Sequence, residues 1–171
     1  MRLKLLIWLF IPITLLIVFI LDEITEEESN EERVYDMIYN LENNLYSYDV
    51  QASIDHEKIY ITDESSSYEV DLPDDLFYIA FAPYINLTHA CYTHSLTGCQ
   101  GEMINKDIDV RIYDESNNLI EEKTYNTGDD GFIGLYLDKI ENYQILVQYN
   151  GLVSSFATNP YQTCYTEVKL S

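Results

Sequence analysis

Basic residues are scarce in this chain: 9 Lys and Arg stand against 30 Asp and Glu in 171 residues, for a formal net charge of -21 at pH 7. A surface so biased repels phosphate, which argues against nucleic acid and anionic lipid as partners and leaves cations as the ions it concentrates. Cysteine is scarcer still. There are 3, an odd number, so in an oxidising compartment they cannot all pair within one chain and at least one thiol is left over. Signatures are missing too. No Ser, Cys or Asp motif of a hydrolase surrounds the cysteines, and their spacing lacks the two-residue gap of zinc fingers. The Asn126 to Gly131 turn superficially resembles a calcium loop, yet Gly128 stands where a carboxylate is needed and no Glu closes the loop at the twelfth position.

What is present begins with MRLKLLIWLFIPITLLIVFILDE, where Arg2 and Lys4 precede an apolar run from Leu5 to Leu21. As a helix rising about 1.5 Å per residue it reaches roughly 26 Å, close to the ~30 Å hydrocarbon core. Asp22 and Glu23 follow directly, with no small-x-small cleavage site and no neighbouring cysteine for lipid attachment, so residues 1–21 read as a retained anchor rather than a cleaved signal. Pro12 interrupts one backbone bond without excluding a spanning helix. Positive charge before the run and dense acid after it place everything from Asp22 onward outside the cytoplasm. Residues 22–31, DEITEEESNE, are too acidic to bury anything and read as a solvated spacer.

In EERVYDMIYNLENNLYSY the apolar positions Val34, Ile38, Leu41 and Leu45 share one helical face, with Asp36, Asn40, Glu42 and Asn43 turned elsewhere. An amphipathic helix of about four turns is expected. The stretch after it alternates around Ile59 and Ile61 and again around Tyr68 and Val70, with a Ser-rich turn between, as a small hairpin does. His56 falls in a turn of that region and reads as solvated. Leu76 to Pro83, LFYIAFAP, is continuously apolar and of strand length, so it should be a strand buried on both faces. Downstream come IDVRIYD, NLIEEKTY, GFIGLYL, NYQILVQY, LVSSFAT and CYTEVKL, separated by turn signals of which Asn150-Gly151 is the strongest. Short strands at this spacing predict an antiparallel β-sandwich.

Chemistry concentrates between Thr88 and Gly101, THACYTHSLTGCQG, which interleaves Cys91 and Cys99 with His89 and His94; Cys164 lies far downstream in the last strand segment. Thiolate and imidazole are the donors of transition metals: soft sulfur selects Cu(I), and sulfur with histidine in a tetrahedral set also suits zinc. Cys91, Cys99 and Cys164 could form a three-coordinate thiolate site for Cu(I), and adding His94 or His89 would suit zinc or a mixed copper site. A disulfide is the structural rival, because the compartment permits oxidation and the cysteine separation can close a loop. The two are compatible, since a reversible bridge could gate metal binding by thiol exchange. A thiol-disulfide or Cys–His enzyme on a β-sandwich, with one thiolate as nucleophile and His94 as base, needs fewer cysteines than are present. A disulfide-stapled structural module would leave the Cys and His cluster unexplained.

The run LFYIAFAPYINLTHACYTHSLTGCQGEM, followed by DDGFIGLYL and FATNPYQTCYTEVKL, closely resembles the CueP family of extracytoplasmic copper-binding proteins. The resemblance covers most of the chain after the anchor and is weakest through the helix. It implies copper bound by Cys91, Cys99 and Cys164, a role in copper tolerance or in supplying a secreted cuproenzyme client, and a homodimer formed mainly through the N-terminal part. It also implies an α+β fold: an N-terminal helix plus small β-hairpin subdomain over 32–80, then a β-sandwich metal-binding domain over 81–171. The expected protein is a single-pass, membrane-tethered metallochaperone whose chemistry is binding, with copper reduction by the thiols as an accessory reaction.

Overall fold

The computed structural model describes residues 31–46, 49–139 and 142–171. The chain divides into two compact units, Met1–Met37 and Ile38–Ser171. Of the first, residues 31–37 are described and are helical. The expected anchor over 1–21 and the spacer up to residue 30 lie outside the described residues, among which no helix is long and apolar enough to cross a membrane.

Helix α1 is described over residues 31–42, so it already includes Glu31, the last residue assigned to the spacer. Val34, Ile38 and Leu41 are buried as their spacing predicts, but Leu45 is 61% exposed. The helix stops before it. Asn44 takes φ 51°, and the amides of Asn44 and Leu45 bond back to the carbonyls of Leu41 and Asn40, the closed left-handed cap that asparagine tolerates. Leu45 thus leaves the helical face.

A small sheet follows, in the order β3-β2-β1-β5, built from β1 (Gln51–Ile54), β2 (Lys58–Thr62), β3 (Ser67–Asp71) and the two-residue β5 (His94–Ser95). The hairpin expected around Ile59 and Val70 is β2–β3. The sandwich comprises two further sheets. One runs β10-β9-β6-β7, from β6 (Asp107–Tyr113), β7 (Leu119–Asn126), β9 (Gln144–Tyr149) and β10 (Leu152–Ala157); the other runs β11-β4-β8, from β4 (Leu76–Tyr84), β8 (Ile133–Asp138) and β11 (Cys164–Lys169). Among the described residues these sandwich pairings are antiparallel except β11 on β4, which is parallel. The expectation of a purely antiparallel sandwich is corrected there, because side-chain alternation encodes faces and not strand direction.

Strand β4 is buried on both faces, as its unbroken apolar run requires. Phe77, Ile79 and Phe81 enter the core between the two sheets with Ile108, Val110, Ile112, Ile145 and Val147, each worth roughly 1.5–3 kcal/mol when fully buried. Tyr78, Ala80 and Ala82 alternate to the opposite face, which receives the cysteine-bearing loop. Residue 80, the expected boundary between the subdomains, lies inside this strand.

Candidate metal centre

Two small residues on β4 make room for the loop, and a handful of hydrogen bonds fix it there. The register of β1 with β5 sets Ile54 opposite His94. Thr163, just before β11, donates its hydroxyl to the Ile54 carbonyl at 2.6 Å and accepts the His94 amide at 3.0 Å. One threonine therefore joins β1, β5 and the start of β11. The Tyr92 carbonyl accepts the amides of Thr163 and Cys164 at 3.1 and 3.0 Å, and the Thr88 hydroxyl donates to the Thr166 carbonyl at 2.6 Å. The loop is thus laid along β11, which sets Cys91 and Cys164 at a Cα–Cα distance of 5.6 Å, joined as a disulfide.

Cys99 is the free thiol. A tight turn brings its amide to the Ser95 carbonyl at 3.2 Å, while the Ser95 amide donates to its sulfur at 3.4 Å. Its Sγ lies 3.7 Å from that of Cys91. Burial works against the Cys99 thiolate, but the His94 imidazolium and the Ser95 amide outweigh it and hold the thiol below its ordinary range.

The chain beyond Cys99 is clamped by a close backbone crossing. A Cβ on Gly101 would stand 2.5 Å from the Gly131 carbonyl oxygen, and Gly131, at φ +79°, lies against Gly101 in return. The Gly101 amide donates to the Asp130 carbonyl at 2.6 Å. This crossing places Phe132 beside both histidines, its ring centroid 5.0 Å from that of His94 and 6.3 Å from that of His89.

His94 is completely buried. Its Nε2 lies 3.4 Å from Glu42 Oε1, an ion-pair distance, yet neither ring nitrogen completes a hydrogen bond. Tyr78 donates its hydroxyl to the same Glu42 oxygen. Burial alone would depress the His94 pKa, but the Cys99 thiolate and the Glu42 carboxylate override it and raise it to about 9. Asp130, nearby, is pushed up chiefly by its own burial.

Among the described residues, two groups of donors stand within 4.8 Å of one another: His89, Cys91 and Cys99 on the exposed side, and His94, Cys99 and Cys164 inside. The structure therefore brings together all five residues singled out in the sequence, in two sets sharing Cys99. His56 belongs to neither; it sits in the β1–β2 turn, edge-on to Tyr161 with centroids 5.1 Å apart.

The residues that sequence reasoning missed are those behind the ligands. Helical periodicity sets Glu42 on the face turned away from the apolar stripe. The available signal was Tyr78: a tyrosine inside a strand buried on both faces needs a partner for its hydroxyl. Phe132 lies in the quoted DDGFIGLYL run, and Thr163 precedes Cys164, but nothing in their spacing marks them.

Donor chemistry fits copper: soft sulfurs gathered beside a buried imidazole whose nitrogens lack hydrogen-bond partners. Among curated proteins none matches the chain. A solved structure, the crystal structure of S.CueP, is 35% identical, superposes with a TM-score of 0.74, and the match covers 81% of this chain and 89% of that one. A family model described as periplasmic copper-binding protein CueP matches residues 34–169. With most of its length matched, the chain belongs to the CueP family.

Proposed function

We propose that this protein captures Cu(I) outside the cytoplasm through Cys91, Cys99 and Cys164, for copper tolerance or for delivery to a secreted cuproenzyme, and that residues 1–21 tether it to the membrane. The observation that carries the reading is the convergence of the three sulfurs: the last strand brings Cys164 into a bridge with Cys91, and Cys99 stands 3.7 Å from Cys91. The bridged form withholds two of the three sulfurs. Reduction by two electrons and two protons opens the bond and yields three thiols around one point, the donor set that monovalent copper prefers. His94 lies within reach of Cys99 and Cys164 as a further donor. The periplasmic description of the family supports an extracytoplasmic location, and the acidic surface favours cations there. Assembly as a homodimer is part of the same reading.

The test loads the full chain, reduced under argon, with Cu(I) or Zn(II), and follows metal content together with thiol accessibility. Equimolar copper should protect all three thiols together, and zinc should be displaced by Cu(I). Cys164→Ser should weaken Cu(I) binding about as much as Cys91→Ser, despite its distance in sequence. Unchanged affinity in Cys164→Ser would replace the three-sulfur site by one of Cys91, His94 and Cys99.

A further inference from the structure

The two imidazoles meet the sulfurs at different points: His89 groups with Cys91 and Cys99, and His94 with Cys99 and Cys164. Resting on the copper reading above, the geometry points to two histidines used in succession on the same three sulfurs: His89 receives and releases the ion, and His94 retains it.

Three observations separate the sets. The first is access. His89 is exposed and Cys91 and Cys99 are half-buried, whereas His94 and Cys164 are completely buried. A chelator or partner protein reaches His89 from solvent, and only the protein's own groups reach His94. The second is overlap. Each set closes within 4.8 Å and Cys99 belongs to both, so an ion held by the sulfurs can exchange one imidazole for the other without leaving Cys99. Phe132 lies against both imidazoles and forms a common apolar wall.

The third observation is support. His94 has the Glu42 carboxylate 3.4 Å from Nε2, the kind of outer partner that orients a ligating imidazole and raises its basicity, and Glu42 is itself held by Tyr78. The His89 side chain is exposed, with its ring against Phe132. A loosely held exposed imidazole suits rapid exchange, and a braced buried one suits retention. The disulfide joins one donor of each set, Cys91 to Cys164, so a single bond leaves both sets with only Cys99 and an imidazole. Oxidation disables reception and retention together.

The test uses the full chain, reduced under argon and loaded with Cu(I). Affinity is measured by competition with a water-soluble Cu(I) chelator, and the rate of copper transfer to that chelator by stopped flow. His89→Ala should slow transfer about tenfold, the scale of loss that one group costs a metal site, while lowering affinity by clearly less. His94→Ala should do the reverse, lowering affinity by about tenfold or more and speeding release. His94→Asn, which keeps a polar side chain in the buried position, carries the test if the alanine variant does not fold. His56→Ala, outside both sets, should change neither quantity. Proportional changes of rate and affinity in both histidine variants, or no change in either while the wild type binds Cu(I), would overturn the two-set arrangement. A reduced wild type that takes up no Cu(I) would overturn the copper reading and this inference with it.

Discussion

His89 and His94 sit on the same short loop, flanking the same cysteine, yet one is exposed and the other has no accessible surface. The difference is made by what the backbone does on either side of Cys91. Up to Thr93 the loop rides on the outside of β11, held by the Thr88 hydroxyl and the Tyr92 carbonyl. At His94 it becomes a strand, paired with β1 and stitched to Thr163, and its side chain turns inward onto Glu42 and Tyr78. Being near a cysteine in sequence therefore says little about an imidazole's role, whereas pairing with β1 decides it. The molecule has an outer rim and an inner floor, and substitutions can address each separately.

The largest effect should come from cutting the link between them. The Cys91–Cys164 bridge spans a sequence separation of 73, and a loop of that length constrains the unfolded chain by about 4 kcal/mol. Cys164→Ser in the oxidised protein should lower the urea midpoint accordingly. Cys91→Ser should match it, since either change removes the same bond, and a marked inequality between them would show that rim and floor are held by something other than the bridge.

Next is the backbone crossing that supports both histidines. Gly101→Ala puts a methyl group 2.5 Å from the Gly131 oxygen, so the two segments must part, at a cost of about 1–3 kcal/mol. Because Phe132 follows Gly131 directly, its ring should leave both imidazoles. Thermal unfolding measures the cost, and aromatic-to-imidazole contacts in NMR spectra report the ring. A stable variant with both contacts intact would show that Phe132 is held by β8 alone.

How much of this arrangement was legible beforehand follows from what periodicity can carry. The sandwich strands announce themselves, because Ile108, Val110 and Ile112, or Ile145 and Val147, alternate with polar neighbours over enough residues for the pattern to stand out. The five candidate ligands were legible as residue types, and the resemblance singled out the three cysteines as one set. Strand β5 was not legible, since two residues hold no period. Nor was the parallel pairing of Cys164 with Ala80, because direction depends on the route of the connecting chain. The split of the ligands into two sets was invisible for the same reason: it follows from those two pairings, and Glu42 from a helix whose polar face gives no sign of closing over a buried histidine.

The floor alone is addressed by Glu42→Gln. The carboxylate helps to hold the His94 pKa at about 9, so the amide should lower it, and copper affinity should fall about tenfold, the usual cost of losing an outer partner. Imidazole NMR shifts and chelator competition measure the two. The contact of the His89 ring with Phe132 should persist in the same spectra. If it is lost together with the change at His94, rim and floor are not independent.

The smallest effect belongs to the rim. Glu102 accepts the amides of Ile85 and Asn86 at 2.6 and 2.9 Å, pinning the start of the exposed loop, and these bonds lower its pKa to about 2. A carboxyl whose folded pKa lies below its unfolded value stabilises the protein fully above about 4.5, and that contribution is lost as pH falls from there through about 2. Amide exchange at Ile85 and Asn86 should therefore show more frequent opening at pH 3 than at pH 6, once corrected for the intrinsic rates, with little change in global stability because the group is solvent-screened. Glu102→Gln should remove most of this pH dependence while leaving exchange at His94 untouched, since that amide is held by Thr163 and not by the loop. Opening at His94 in step with Ile85 would mean that the loop and β5 move as one body, and the distinction between an exchanging rim and a retaining floor would lose its structural basis.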